Sequence, residues 1–368
     1  MKIDRVHFYV EDAKKWRDWF VHHLGFQAVT DRINSFDTCT EVIKSGSVCF
    51  LLSSPLLPTS PVAEFLRQYP PGVADVAFAV EDVEAAIAHA KMHGATILQP
   101  IQQENVGATY LKWSKIAAWG GMTHTLIERE VGGDTETGRH GDAENSFTAS
   151  ERPLVPASSF ISAIDHIVLN VPIGDLERAV AWYENILDFQ PQQAFKIKTD
   201  RSALHSQVMV SRHGNVQLPI NEPASSNSQI QEFLNVNRGP GIQHIALRTT
   251  NLVSAIAKFR ASGLSLLSVP QSYYIQLKQR PGFTLSDLEI EAIAQQQILV
   301  DWQEYTPVKE GNMAPLLLQI FTQPIFEQPT FFFEFIERRF QAQGFGEGNF
   351  RALFEAIESE QIKRGTLQ

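Results

Sequence analysis

Cysteine is scarce: only Cys39 and Cys49 occur in 368 residues. That excludes a disulfide framework and a cysteine-based zinc site, and it makes a reducing cytoplasm the natural compartment. No run of about 18 apolar residues occurs, so no transmembrane helix is expected. The opening MKIDRVHFYVEDAKKW mixes charge and apolarity and lacks the apolar stretch of a secretory signal. Basic residues are also in short supply. Thirty-one Lys and Arg against 41 Asp and Glu give a net charge of −10. A nucleic-acid binder or a polybasic membrane-surface protein needs the opposite balance, so neither partner is expected. What remains, 43% hydrophobic and 20% charged, is the composition of an ordered globular chain. The length predicts two or three domains.

What is present is a repeat. IDRVHFYVEDAKKWRDWFVHHLGFQAV (3–29) matches IDHIVLNVPIGDLERAVAWYENILDFQPQ (164–192) in layout. Each opens on Ile-Asp and a short apolar strand. Each runs into a helix with large apolar residues at helical spacing, Trp16 and Phe20 or Trp182 and Ile186. Each ends on Leu-x-Phe, at Leu24-Gly25-Phe26 and Leu187-Asp188-Phe189. A second pair, GVADVAFAVEDVEAAIAHAKMHGATIL (72–98) and GIQHIALRTTNLVSAIAKFRASGLSLL (241–267), reads strand, helix, glycine stop, strand. A third, MTHTLIER (122–129) and FFFEFIER (331–338), closes each half. The expected fold is α+β, with four strand–helix–strands modules. Residues 1–130 form one domain, 131–160 a Gly-, Ser- and Thr-rich linker, and 161–368 a second domain.

Aligned residue by residue, the halves differ where chemistry can sit. Arg5 stands opposite His166, Asp75 opposite His244, and Thr125 opposite Glu334. A lone histidine in an apolar strand is ordinarily a satisfied core residue. Glu334 is harder to dismiss, because a carboxylate inside Phe-Phe-Phe-Glu-Phe-Ile is costly to bury without a cation. Two imidazoles and a carboxylate from three strands are the facial set of non-haem Fe(II), with three positions open for a chelating substrate and O2. Zinc can use the same ligands, although no His-Glu-x-x-His spacing occurs.

The second half resembles the 4-hydroxyphenylpyruvate dioxygenases of the vicinal-oxygen-chelate (glyoxalase-like) superfamily. The resemblance lies in IDHIVLNV, LPINEP, SQIQEFL, GPGIQHIALRT, ILVD, LLQIFTQP, FFFEFIER and GFGEGNFRALFEAIE, which cover nearly all of that half in order. The first half resembles the family mainly in layout, so that the resemblance spans the whole chain. The resemblance implies βαβββ modules paired into two open β-barrel domains, a non-catalytic first domain, and a C-terminal lid helix. It implies His166, His244 and Glu334 as ligands of one Fe(II) per subunit. It places Ser206, Asn221, Gln229, Gln243 and Gln319 around the substrate, and Phe321 and Phe350 against its ring, with Phe332 and Phe345 nearby. The reaction implied is conversion of 4-hydroxyphenylpyruvate and O2 to homogentisate and CO2, by a homo-oligomer whose partners are the 2-oxo acid and O2. Hydroxymandelate synthase, with the same ligands and substrate, is the near alternative. A non-catalytic binder of the superfamily is the more distant one.

Further expectations concern single residues. Adjacent strand residues point to opposite faces, so Gln243, next to His244, ranks below Asn221 and Gln229 as a substrate contact. Asn349 is read as the N-cap of the last helix, whose apolar face carries 350, 353, 354 and 357. Glycines 344, 346 and 348 lack the strand–Gly–helix context of a dinucleotide loop and read as a hinge. His22 and His23 read as a packing or solvated pair, and His124 as a relic beside a lost carboxylate. The segment 302–315 is longer than the turn usual in the family and is expected to alter surface or subunit contacts.

Overall fold

The repeated segments fold into repeated modules. The computed structural model describes residues 1–29, 35–106, 109–131, 160–199, 202–302 and 315–365. The first module is β1 (Lys2–Tyr9), α1 (Ala13–Leu24), β2 (Gln27–Val29), β3 (Thr38–Ser45) and β4 (Val48–Pro55). After α2 (Pro61–Gln68), the second is β5 (Gly72–Ala79), α3 (Val83–Met92), β6 (Ile97–Val106), β7 (Thr109–Ala117) and β8 (Thr123–Val131). The second half repeats the plan with β9 (Ile161–Asn170), α4 (Leu176–Leu187), β10 (Phe189–Lys198), β11 (Ala203–Ser211) and β12 (Gln217–Pro223). Then come α5 (Gln229–Asn237), β13 (Gly241–Thr249) and α6 (Leu252–Ala261). The chain closes with α7 (Gln271–Leu277), α8 (Asp287–Gln295), β14 (Leu299–Trp302), β15 (Leu316–Phe321), β16 (Phe332–Arg339) and α9 (Glu347–Arg364). Two curled eight-stranded sheets result, in the same order: β2-β3-β4-β1-β5-β8-β7-β6 and β10-β11-β12-β9-β13-β16-β15-β14.

The sequence signatures of the repeat have mechanical meanings. The middle residue of each Leu-x-Phe step is left-handed, Gly25 at φ 69° and Asp188 at φ 57°, and turns the chain from helix into strand. In each Ile-Glu-Arg the glutamate accepts from the first backbone N–H of its module's helix: Glu128 from Val83 at 2.8 Å, Glu337 from Leu252 at 2.6 Å. A carboxylate there satisfies a donor that the helix leaves open and meets the positive end of its dipole. In each, the arginine grips the aspartate of the opening Ile-Asp with two parallel bonds. Arg129 holds Asp4 at 3.0 and 2.9 Å, and Arg338 holds Asp165 at 2.9 and 2.7 Å.

Both sheets also carry two β-bulges at equivalent places. Where β1 pairs with β5, Asp4 and Ala74 are skipped; where β9 pairs with β13, Asp165 and Gln243 are skipped. A bulge re-aims the neighbouring side chains, and the residue after each of these two bulges in the second half is a histidine, His166 or His244.

The two halves share one core. Phe331, just before β16, and Phe333 within it pack edge-on against Phe8 (5.2 Å) and Phe20 (5.8 Å) respectively, and Phe333 also stacks on Phe50 at 6.0 Å. Phe332 and Glu334 point the other way, into a cavity of the second sheet. The strand is therefore buried on both faces, as its unbroken apolar run implies. His124 is buried in the same seam, bonded to the Val76 carbonyl and to the Tyr183 hydroxyl of α4. It joins the halves rather than marking a lost site. His23 packs tilted on Trp19 at the end of α1, as a packing residue does.

Three expectations need correction or fall outside view. No strand follows Gly263 directly; Leu266 makes one isolated bridge to Thr322, and α7 and α8 intervene before β14. Pro270 stops extension and opens α7, and Ser286 with Glu289 forms a capping box that starts α8. Asn349 is not an N-cap. The cap position of α9 is Gly346, at φ 77°, because Asp301 of β14 reaches across to accept from the Gly348 N–H at 3.0 Å, so the helix begins earlier. The linker and the 302–315 segment lie almost wholly outside the described residues. Among the described residues, no helix is long and apolar enough to cross a membrane.

Candidate metal centre and substrate cavity

The register lines up one row of residues across three adjacent strands: His166 opposite Ala246, and Ala246 opposite Glu334. His244 lies two residues along β13 on the same face as Ala246. The row thus has a small residue between two long ones, and three ligand atoms converge above it. His166 Nε2 is 3.2 Å and His244 Nε2 3.7 Å from Glu334 Oε2, and all three lie within 4.8 Å of one another. Ligands bound to one metal at about 2.1 Å stand roughly 3 Å apart when they are cis, so the set fits a single ion.

Each ligand is held from behind. Glu334 is 2% exposed, and its second oxygen accepts from the Gln319 amide at 2.9 Å. His166 is 3% exposed and directs Nδ1 at Asp165 at 3.0 Å. His244 stacks on Phe332 (4.7 Å, 17°), and its Nδ1 is buried without a partner among the described residues. Burial alone lowers His166, but the Glu334 and Asp165 carboxylates overcome it and hold the imidazole up at about 9. Burial and then the charge on His166 keep His244 well below its ordinary value. Burial opposes ionisation of Asp165, yet Arg338 and His166 hold its carboxyl well below the usual range. Without a metal the centre therefore traps one proton among two carboxylates, and a cation can take that proton's place.

Above the ligands is a cavity of about 90 Å³. Ser206, Asn221, Gln229, Gln243 and Gln319 line it, as do Phe321, Phe332 and Phe345. Ser206 and Asn221 are directly paired across β11 and β12. Gln229 is the first residue of α5, and its buried carbonyl oxygen has no partner among the described residues. Gln243 shares the cavity with His244, against the alternation argument, because the bulge at Gln243 breaks the alternation. Gln319 is already committed: its amide nitrogen donates to Glu334 and to the Phe345 carbonyl, and its oxygen accepts from Asn349 at 3.0 Å. Phe350 falls within α9, but its side chain lies outside the described residues. Sequence reading missed Phe195, Leu204, Val208 and Pro219 as lining residues. Stepping by two from Ser206 and Asn221 along their strands finds the last three.

The other cluster of convergent acids, Asp82, Glu84 and Glu128, already has its cation: Lys112 Nζ sits 2.9 Å from Glu84 and 3.4 Å from Glu128.

The duplicated modules and the single ligand set define the class. A sequence model of the Glyoxalase/Bleomycin resistance protein/Dioxygenase superfamily matches residues 2–112 and 163–280. A Mn(II)-bound glyoxalase from Novosphingobium aromaticivorans shares the fold at TM-score 0.51 and 11% identity, over 93% of this chain and 82% of that one. Much greater likeness is found to the 4-hydroxyphenylpyruvate dioxygenases of Caenorhabditis briggsae (38% identical over 99% of this chain and 93% of the relative) and Coccidioides posadasii (36%, over 99% and 94%). A solved mutant of 4-hydroxymandelate synthase from Streptomyces coelicolor superposes at TM-score 0.80 and 25% identity, over 98% of each chain. The chain belongs to the 4-hydroxyphenylpyruvate dioxygenase family.

Proposed function

We propose that the protein converts 4-hydroxyphenylpyruvate and O2 to homogentisate and CO2 at one Fe(II) held by His166, His244 and Glu334. The convergence of three ligand atoms beneath an aromatic and amide-lined cavity carries this reading. A bound Fe(II) supplies chelation of the 2-oxo acid, activation of O2 and the oxidising power for decarboxylation and ring hydroxylation. The chain's own residues place the substrate. Phe321, Phe332 and Phe345 offer ring faces and edges worth about 0.5–1.5 kcal/mol each beyond burial. Ser206, Asn221, Gln229 and Gln243 are neutral partners for the phenol hydroxyl. The unpaired Gln229 oxygen stands ready to accept its proton. Gln319 holds Glu334 in orientation and ties it, through Asn349, to α9. That helix covers the cavity with Leu353, Phe354 and Ile357 and excludes water from it. The first half, 1–130, is a non-catalytic unit, and the two free cysteines suit a cytoplasmic setting.

The likeness to 4-hydroxymandelate synthase supports a second reading, oxidation of the benzylic carbon of the same substrate. One experiment tests both. Metal-stripped protein is given substrate in an oxygen electrode before and after Fe(II), and the product is identified by mass and retention time. Oxygen uptake that depends on Fe(II), with homogentisate formed, is expected. Hydroxymandelate as the sole product supports the second reading, and no uptake removes both.

A further inference from the structure

The Asp–Arg clamp occurs twice, but only in the second half does it touch a metal-ligand candidate. In the first half Arg129 grips Asp4 near the surface, and the next residue, Arg5, has its guanidinium 3.9 Å from the same carboxylate. In the second half the Asp165 side chain is fully buried. One of its oxygens accepts from Arg338 at 2.7 Å and faces His166 Nδ1 at 3.0 Å. The other accepts from Arg338 at 2.9 Å and from Arg248 at 2.8 and 3.1 Å. A carboxylate so surrounded cannot rotate without breaking several charge-assisted bonds. The bulge at Asp165 makes this possible, since in a regular strand the side chains of Asp165 and His166 would point to opposite faces.

We propose that Asp165, clamped by Arg338, is a positioning residue for the metal centre. It takes the Nδ1–H of His166, so that the nitrogen a metal can bind is Nε2, the one facing Glu334 and His244. A histidine ligand is aimed, and made more basic, by the group that accepts its other N–H. Arg338 also donates to the carbonyls of Ala342 and Gly344, just before Gly346, the cap position of α9. The clamp therefore joins ligand orientation to the root of the covering helix. The module supplies this device in both halves, and the second half aims it at a ligand.

The inference rests on the ligand assignment above, and the test separates the two. Co(II) is titrated into metal-stripped wild type, His166→Ala, Asp165→Asn and Asp4→Asn, read by visible absorption, with urea denaturation run alongside. His166→Ala should abolish binding; if it binds Co(II) as wild type does, the ligand assignment itself fails. Asp165→Asn should weaken Co(II) by roughly 10–100-fold, while Asp4→Asn stays within about twofold although both lose stability through the same clamp. Affinity in Asp165→Asn equal to that in Asp4→Asn, with His166→Ala silent, overturns the positioning role alone. Should Asp165→Asn not fold, Arg338→Lys replaces it. The cation is kept but cannot grip both oxygens and both carbonyls. A fivefold or greater loss of Co(II) affinity is expected, and an unchanged affinity overturns the proposal.

Discussion

Two halves of one chain build the same scaffold and put it to different uses. In the first, the strand row reads Arg5–Ala77–Thr125; in the second, His166–Ala246–Glu334. Asp75, at the place of His244, accepts from the Thr123 and Thr125 hydroxyls and lies 4.0 Å from Lys115. Its charge is met by hydroxyls and an ammonium rather than by facing imidazoles. The second half leaves three ligand atoms facing one another, with a proton or a metal to reconcile them. Bulges, caps and clamps are common to both halves, so the candidate metal centre differs from its counterpart by a few side-chain choices on a shared framework.

The largest test of that contrast is to remove one ligand and its counterpart. Glu334→Ala should abolish both Co(II) binding and oxygen uptake with substrate, because the remaining two imidazoles no longer close a face around the ion. Asp75→Asn should leave oxygen uptake within about twofold and cost no more than about 1–3 kcal/mol of stability. Loss of uptake in Asp75→Asn at normal stability would show that the first half shares in the chemistry.

The next effect concerns the shared core. Phe333 is fully buried between Phe20 and Phe50 of the first half, with Glu334 beside it in the chain. Phe333→Ala should cost about 3–5 kcal/mol in urea denaturation and unfold both halves in a single transition. Two separate transitions would mean that the halves are independent units that merely touch.

Much of this was legible in the sequence because the repeat supplied its own control. His166, His244 and Glu334 stood out as the positions where matched strands disagree, and the structure brings them to one point. Ile-Asp and Ile-Glu-Arg were visible as repeated letters. Their meaning depends on which strands are neighbours, and no local pattern carries that. The direction Gln243 faces was not legible because a bulge has no compositional mark: Asp4 and Asp165 sit in one pair of bulges, Ala74 and Gln243 in the other. Asn349 was misjudged because the carboxylate that caps α9 comes from Asp301, on a distant strand. Helices α7 and α8 have no counterpart in the first half, so for them there was nothing to compare.

A subtler difference should appear with pH. Burial alone lowers His166, yet its two carboxylate neighbours hold it at about 9, and Arg5 offers no such group in the first half. The imidazole is raised above its unfolded value near 6.5. Its proton therefore stabilises the metal-free protein fully below about pH 6.5, and that contribution fades as pH rises through 9. A metal must displace this proton. Apparent Co(II) affinity should rise by about tenfold per pH unit from 6.5 to 8.5 and level off near 9. A flat profile over that range would mean that His166 is already neutral.

The smallest effect expected is also the one on which the halves should agree. Glu128 accepts from the first N–H of α3, and Glu337 from that of α6. Glutamine keeps an oxygen that can accept the N–H but loses the charge facing the helix N-terminus, which is worth about 0.3–1 kcal/mol, so Glu128→Gln and Glu337→Gln should each lower the urea midpoint slightly and to a similar extent. Lys112 beside Glu128 and Arg339 beside Glu337 lose a partner in the same way, which keeps the comparison even. Oxygen uptake should change little in either variant, because Glu337 caps its helix while Glu334, three residues earlier on the strand, faces the cavity. A stability loss confined to Glu337→Gln would mean that the device matters only where a metal centre must be supported, and the repeat would then be a copy in form but not in mechanics.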